Sequence, residues 1–254
     1  MNNLFNFAKS FLVAPSDAAD ACDRPSALGD GLKIYAALAV AELASSRFDP
    51  LSFLDPAAPA RYARTVGFWL GLALWQPILT ATSIALTILL LEWLREGRLP
   101  LKTAAATIWS ALPVALTVYY ASPNAGSSGW FIALLAVWAA PAVLLAKRIA
   151  PERRRRVAAF LLGMSAIQIV GLVFEFAVVV PTRSLNAFYA YSALMLIWVA
   201  ACFGIGMRRM KITDSMARAV LAFIFALLVG SVAPWIAYRL GLMPKEILKA
   251  VLYV

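Results

Sequence analysis

Six long apolar runs, separated by short polar or proline-marked breaks, dominate the chain: residues 66–94, 103–121, 130–146, 157–180, 187–207 and 217–238. A hydrocarbon layer of about 30 Å is crossed by roughly 20 mostly apolar residues in a helix, so each run predicts a membrane-spanning helix. A seventh run, LKIYAALAVAELASS at 32–46, is shorter and carries Glu42. Counting it gives seven spans, or six if 32–46 does not cross. The breaks carry turn residues: Asp49-Pro50, Asp55-Pro56 and Pro59 before the second span, Gly97 and Pro100 before the third, and SPNAGSSG at 122–129 before the fourth. The expected fold is an all-α polytopic transmembrane bundle over residues 31–241. N-terminal helices at 1–30 precede it, and a short amphipathic segment at 242–254 follows.

At the N terminus, Leu4, Phe5, Ala8, Phe11 and Leu12 share one face of a helix, while Asn2, Asn3, Asn6 and Lys9 share the other. That division predicts an interfacial amphipathic helix lying on the bilayer. The apolar stretch 10–14 is too short for the core of a cleavable signal and runs into Pro15. Ser16 is the expected N-cap of a following acidic helix bearing Asp17, Asp20 and Asp23. A charged face of this kind is most simply a solvated connector. Its functional reading is a partner surface, or a counter-charge to the run Arg153, Arg154, Arg155 and Arg156, whose ion pairs would hold the N-terminal segment in place.

Composition agrees with the pattern. The chain is 63% apolar and 14% charged, with a mean hydropathy of +0.80, against about half apolar and a quarter charged for soluble domains. With seven spans and a cytoplasmic N terminus, sixteen Lys and Arg fall on one side and seven on the other. Basic residues stay cytoplasmic in short loops, so the bias predicts an N-in, C-out topology. The net charge of +10 is then mainly a topology signal, with anionic headgroups at the cytoplasmic face as its partner and no nucleic acid. Sixteen Arg against seven Lys, with abundant alanine, is a habit of GC-rich bacterial genomes and points to a bacterial cytoplasmic membrane.

Polar residues inside spans are costly and face protein or water. In the second span Gln76, Thr80, Ser83 and Thr87 form one stripe beside Pro77; in the third, Thr103, Thr107, Ser110 and Thr117 form another around Pro113; in the fifth, Ser165, Gln168, Gly171 and Glu175 form a third. The candidate polar core is Gln76, Thr80, Ser83, Thr107, Ser110, Gln168 and Glu175. Such stripes commonly act as helix glue, since small and hydroxylated residues let helices approach and hydrogen-bond. A polar lining is the alternative. Glu175, five residues before the turn that starts near Pro181, is expected as a rim carboxylate paired with Arg183 or hydrogen-bonded to Asn186 or Tyr189, the alternative being ion or proton coupling. Trp93, Trp130 and Trp235 fall near span ends, as an aromatic belt predicts. The stretches 137–148 and 197–208, and 157–164 and 220–227, echo each other as span, basic turn, span, which suggests a parallel duplicated hairpin.

There is no histidine, and the two cysteines, Cys22 and Cys202, lie far apart. Ser/His and Cys/His triads and most zinc sites are thereby excluded, and no cofactor is expected. The spans carry no opposed carboxylates and no nucleophile beside a base, so an intramembrane enzyme is disfavoured.

One resemblance can be set beside this reading. An amphipathic N terminus, the acidic segment APSDAADACDRP (14–25), a weak first span, the long proline-bearing span ALWQPILTATSIALTILLLEWL (73–94), the turn REGRLPLK and the span containing IWSALPVAL (108–116) are together similar to the bacterial branch of the Yip family of polytopic membrane proteins. The similarity covers about residues 4–180, with two further spans beyond the usual five. The aspartate-leucine-tyrosine-glycine-proline signature of eukaryotic members is absent, which removes the basis for inferring Rab binding, so the resemblance implies a membrane fold more than a function. The expected function is a non-catalytic scaffold or accessory subunit contacting other membrane proteins. The alternative is a small permease lined by spans two, three and five.

Overall fold

A computed structural model describes residues 2–46, 65–121 and 128–253. The breaks at Asp49-Pro50, Asp55-Pro56 and Pro59, and most of 122–129, lie outside them. Among the described residues there is no strand. The helices are α1 (Asn2–Val13), α2 (Pro15–Ala21), α3 (Ala27–Ser46), α4 (Val66–Leu94), α5 (Leu99–Ala121), α6 (Ser128–Ala146), α7 (Pro151–Gly163) and α8 (Ser165–Phe174). A π-helical turn, Glu175–Val179, joins α8 to α9 (Val180–Thr182), and α10 (Leu185–Arg209), α11 (Met216–Arg239) and α12 (Lys245–Tyr253) follow.

Six helices are long and apolar enough to cross a membrane: Val66–Leu94, Leu99–Tyr120, Gly129–Ala146, Pro151–Thr182, Leu185–Arg209 and Met216–Arg239. They coincide with the six apolar runs, and the chain is a multi-pass membrane protein in its helical make-up. The 32-residue run Pro151–Thr182 is built from α7, α8, the π turn and α9 in succession. Pro77, Pro113, Pro141 and Pro234 all lie inside helices, a placement that would break a short soluble helix and is tolerated in membrane spans. Of the apolar window of α6 only 6% is buried, so most of its apolar side chains stay at least partly exposed, as lipid permits and water does not. Residues 32–46 do form helix, within α3, whose 20 residues also carry Asp30 and Lys33; α3 is not among the six.

Two compact units make up the chain: residues up to Ala73 with Arg155–Lys211, and Leu74–Arg154 with Ile212–Val254. In the first, α1 packs on α2, α3 and α8, α2 packs on α10, and α3 packs on α8. Its core is aromatic, with Phe11, Phe160 and Phe203 fully buried and the Phe11 and Phe160 rings 5.0 Å apart in an edge-on arrangement. Two glycines make this packing possible. A Cβ at Gly163 would lie inside the Phe11 ring and one at Gly206 inside the Phe160 ring, so each ring occupies the space a side chain would need.

The second unit is built on α5, which packs on both α11 and α6, with α12 folded against α11. Trp109 of α5 and Trp138 of α6 stack at 4.7 Å. Each indole donates to the other residue's carbonyl, at 3.1 Å from Trp109 Nε1 and 2.8 Å from Trp138 Nε1. An indole N–H has no water to bond in hydrocarbon, so this reciprocal pair both satisfies two donors and fixes the register of the two helices. On α4, Ser83 Oγ lies 3.1 Å from where a Cβ of Gly230 on α11 would sit, the close approach that small residues allow.

Candidate functional site

The N-terminal helices are held against the first unit by an apolar plug and a set of ion pairs. The buried face of α1 is centred on Phe7 and Phe11, one turn apart, whose rings meet edge-on at 5.1 Å. This corrects the face expected from periodicity. Phe5, placed with Phe11 on the apolar side, is 69% exposed, and Val13 is 70% exposed, because the side of α1 that carries Phe11 is the one that meets Phe160 and Gly163 of α7. Cys202 is fully buried below the plug, its thiol donating to the Phe11 carbonyl at 3.8 Å. Cys22 is likewise a buried free cysteine, and burial pushes its thiol up to about 12. Neither sulfur is poised as a nucleophile, since it is the thiolate that reacts.

Ser16 is not the N-cap of α2. That position is Ala14, with Pro15 as the first helical residue and Ser16 in the first turn beside the Asp17 carboxylate. Proline at the first position needs no N–H partner, so the helix starts without a side-chain cap. The three aspartates then separate. Asp20 accepts from Arg209 of α10 through Nε and Nη2, at 2.7 to 3.1 Å, and this guanidinium holds the Asp20 carboxyl below its usual range. Asp23 pairs with Arg156 Nε at 2.5 Å, while Arg155 donates to the carbonyls of Arg24 at 2.8 Å and Asp23 at 3.3 Å. Asp17 points outward.

Of the expected pairs between the aspartates and the basic run, Asp23 with Arg156 is found as an ion pair, and Asp23 lies past the end of α2, where Arg155 meets the main chain. For Asp20 the partner is Arg209, 189 residues away in sequence. The other two arginines of the run belong to the second unit. There Arg153 Nη1 reaches the Glu92 carboxylate at 2.6 Å, and Arg154 Nε donates to the Ile149 carbonyl at 3.1 Å.

The end of α4 in the second unit is closed by charge as well. Glu92 also pairs with Arg95, and Arg95 with Glu96, whose carboxyl is held low by that guanidinium. Arg218, only 15% exposed, donates to the carbonyls of Leu94 at 2.6 Å and of Arg95 and Gly97 at 2.9 Å each. The Leu94 carbonyl is one that the C-terminus of α4 leaves without a partner, the other two belong to the turn that follows, and a cation there also opposes the helix dipole. In the sequence Arg218 is one basic residue of the topology signal. Its role as a cap is invisible locally because its acceptors lie more than 120 residues away.

In the second unit, Ser83 meets α11 at Gly230, Thr87 is buried with its hydroxyl on the Ser83 carbonyl at 2.7 Å, and Gln76 and Thr80 are half-buried. Thr107 is exposed, bonded to the Thr103 carbonyl of its own helix at 2.9 Å. Ser110 is wholly buried and Thr117 nearly so, and neither hydroxyl has a hydrogen-bond partner among the described residues. Hydroxyls bonded to their own helix or sunk between helices fill space and leave little to line a polar path.

In the first unit Ser165 is buried, but Gln168, on the same expected stripe, is exposed. Gly171 lies against Tyr191 and Met195 of α10. Glu175 opens the π turn and is half-buried. No ion pair or hydrogen bond joins it to Arg183, Asn186 or Tyr189, contrary to the rim pairing expected. Eight helical residues rise about 12 Å, which puts Arg183 out of reach. Among the described residues no three His, Cys, Asp or Glu side chains come together as a metal site.

No family model, curated protein or solved structure matches the chain. The reading of its role therefore rests on the geometry above.

Proposed function

We propose that the chain is a non-catalytic integral membrane protein, a scaffold or accessory subunit of a membrane complex, with its N-terminal helix pair as the partner surface. The observation that carries this reading is the way α1 and α2 are held. Phe11 and the Asp20–Arg209 and Asp23–Arg156 pairs fix them from one side, while Phe5, Lys9, Val13 and Asp17 stay exposed on the other. A face held in a fixed conformation loses little entropy when a partner covers it. The hydroxyls of Thr87 and Thr107 are spent on their own helices and so leave little of the polar lining a permease needs, while the approach of Ser83 to Gly230 supports a packing role.

In this reading α3 is a seventh crossing, since 20 residues rise about 30 Å. The N terminus is then cytoplasmic and the C terminus on the far side of a bacterial inner membrane, as the sixteen-to-seven charge bias supports. The similarity to the bacterial Yip branch is compatible with such a role. The test is a photoreactive residue at position 5 or 13 in native membranes. One discrete adduct with a second polypeptide is expected, lost in the double variant Asp20→Asn, Asp23→Asn. Adducts with lipid alone at both positions would contradict it.

A further inference from the structure

A second surface of the chain carries a ligand chemistry of its own. Within the second unit a cavity of about 240 Å³ is lined by Leu89 and Trp93 of α4, Ala105 and Trp109 of α5, and Ala142 and Leu145 of α6, among others, all apolar apart from the indole N–H groups. Its floor is rigid, because Trp109 is locked to Trp138 by stacking and two hydrogen bonds. It is open on one side, where Ala105 and Pro141 are exposed.

The register set by the two tryptophans places charge at one end of this groove. With Trp109 opposite Trp138 on antiparallel helices, Leu99 at the start of α5 comes level with Arg148, just past the end of α6. Arg98 and Lys102 from one turn therefore share a layer with Lys147 and Arg148 from the other. The local carboxylates are already engaged: Glu92 with Arg95 and Arg153, and Glu96 with Arg95, while Glu152, which follows in the next helix, also has an interaction of its own. Lys102 is also taken, with Nζ 2.6 Å from the Trp93 carbonyl and 4.9 Å from the centre of its ring. Arg98, Lys147 and Arg148 remain exposed, with no carboxylate partner among the described residues. An apolar groove with three uncompensated cations at one mouth is complementary to an acyl chain joined to a phosphate. Basic pockets between membrane helices recognise anionic headgroups by this arrangement.

We propose that this groove binds one anionic phospholipid, its acyl chain against Trp93 and Trp109 and its phosphate among Arg98, Lys147 and Arg148. Lys102, fixed over Trp93, holds the indole at the mouth where chain and headgroup meet. The site does not depend on the scaffold reading, since it uses no residue of α1 or α2.

The experiment reconstitutes the full chain in phosphatidylcholine vesicles containing a tenth of dibrominated phosphatidylglycerol or, in parallel, of dibrominated phosphatidylcholine, and measures quenching of tryptophan fluorescence. Because each basic side chain near an anionic headgroup is worth roughly fivefold in local enrichment, phosphatidylglycerol is expected to quench well beyond phosphatidylcholine at equal content. Arg98→Gln, Lys147→Gln, Arg148→Gln together should remove that preference. Ala142→Phe should block the groove and remove it with all charges intact. Ala105→Phe does the same from an exposed lining position, so it stands if Ala142→Phe fails to fold. Equal quenching by the two lipids in the wild-type protein would overturn the proposal. So would a preference that survives Ala105→Phe unchanged, which would leave only diffuse surface charge, or one that survives the triple substitution.

Discussion

Removing the Phe11 ring should release the N-terminal helices, and Gly163 supplies the control. The ring is fully buried and edge-on to both Phe7 and Phe160, at 5.1 and 5.0 Å. Truncating a buried phenylalanine to alanine costs about 3–5 kcal/mol. At 1.4 kcal/mol per factor of ten, the undocked population of α1 should rise roughly 100-fold to several-thousand-fold in Phe11→Ala. Gly163→Ala attacks the same contact from the other side, since its Cβ would lie inside the ring; overpacking of this kind costs about 1–3 kcal/mol. Once the ring is gone the new methyl has nothing to strike, so the double variant should be no less docked than Phe11→Ala alone. Cys202 is the reporter, buried beneath the Phe11 carbonyl. In a Cys22→Ala background, its labelling by a membrane-permeant maleimide should track the open population. A Phe11→Ala rate within threefold of wild type, or additive costs in the double variant, would refute this account of the docking.

The Asp20–Arg209 clamp should respond to acid. The folded-state pKa of Asp20 lies below its ordinary 3.8, so its contribution is present above that value and is lost as pH falls through the depressed one. Hydrogen-exchange protection of residues 15–22 should therefore weaken between pH 4 and pH 2 in wild type and show less pH dependence in Asp20→Asn. Ser110→Ala removes a buried hydroxyl that has no partner and should leave thermal stability in detergent unchanged or raise it by about 1 kcal/mol, whereas Ser83→Leu, pressed against Gly230, should lower it. Arg218→Ala strips the cap from α4, and hydrogen bonds to charged groups contribute about 1.5–3 kcal/mol each. Exchange of the amides from Leu94 to Gly97 should rise markedly while α5 stays protected.

What the amino-acid order discloses here is what is local. The span 66–94 is recovered to the residue as α4, because an unbroken apolar run between charged turns has no other stable state in a bilayer. The helix at the N terminus is legible too, but its orientation is not. Leu4, Phe5, Phe7, Phe11, Leu12 and Val13 encircle much of α1, so periodicity tuned to a flat bilayer chose Phe5 where the protein surface chose Phe7. The π turn at Glu175–Val179 leaves no mark in an apolar sequence, since it alters the backbone ladder and not the composition. Pairings such as Asp20 with Arg209 and Arg218 with the Leu94 carbonyl join residues more than a hundred positions apart. In the sequence these arginines are only charges that obey a topology rule.

If the stripes are packed helix faces, water does not reach them. Single cysteines at positions 80, 83 and 107, in a chain lacking Cys22 and Cys202, are exposed to a membrane-impermeant thiol reagent added in turn to each side of sealed vesicles. The account predicts no labelling from either side within the time that a cysteine at the exposed loop residue Arg148 reacts to completion. Rapid labelling at two or more of the three positions would mean a water-filled path between the helices, and the chain would have to be read as a permease.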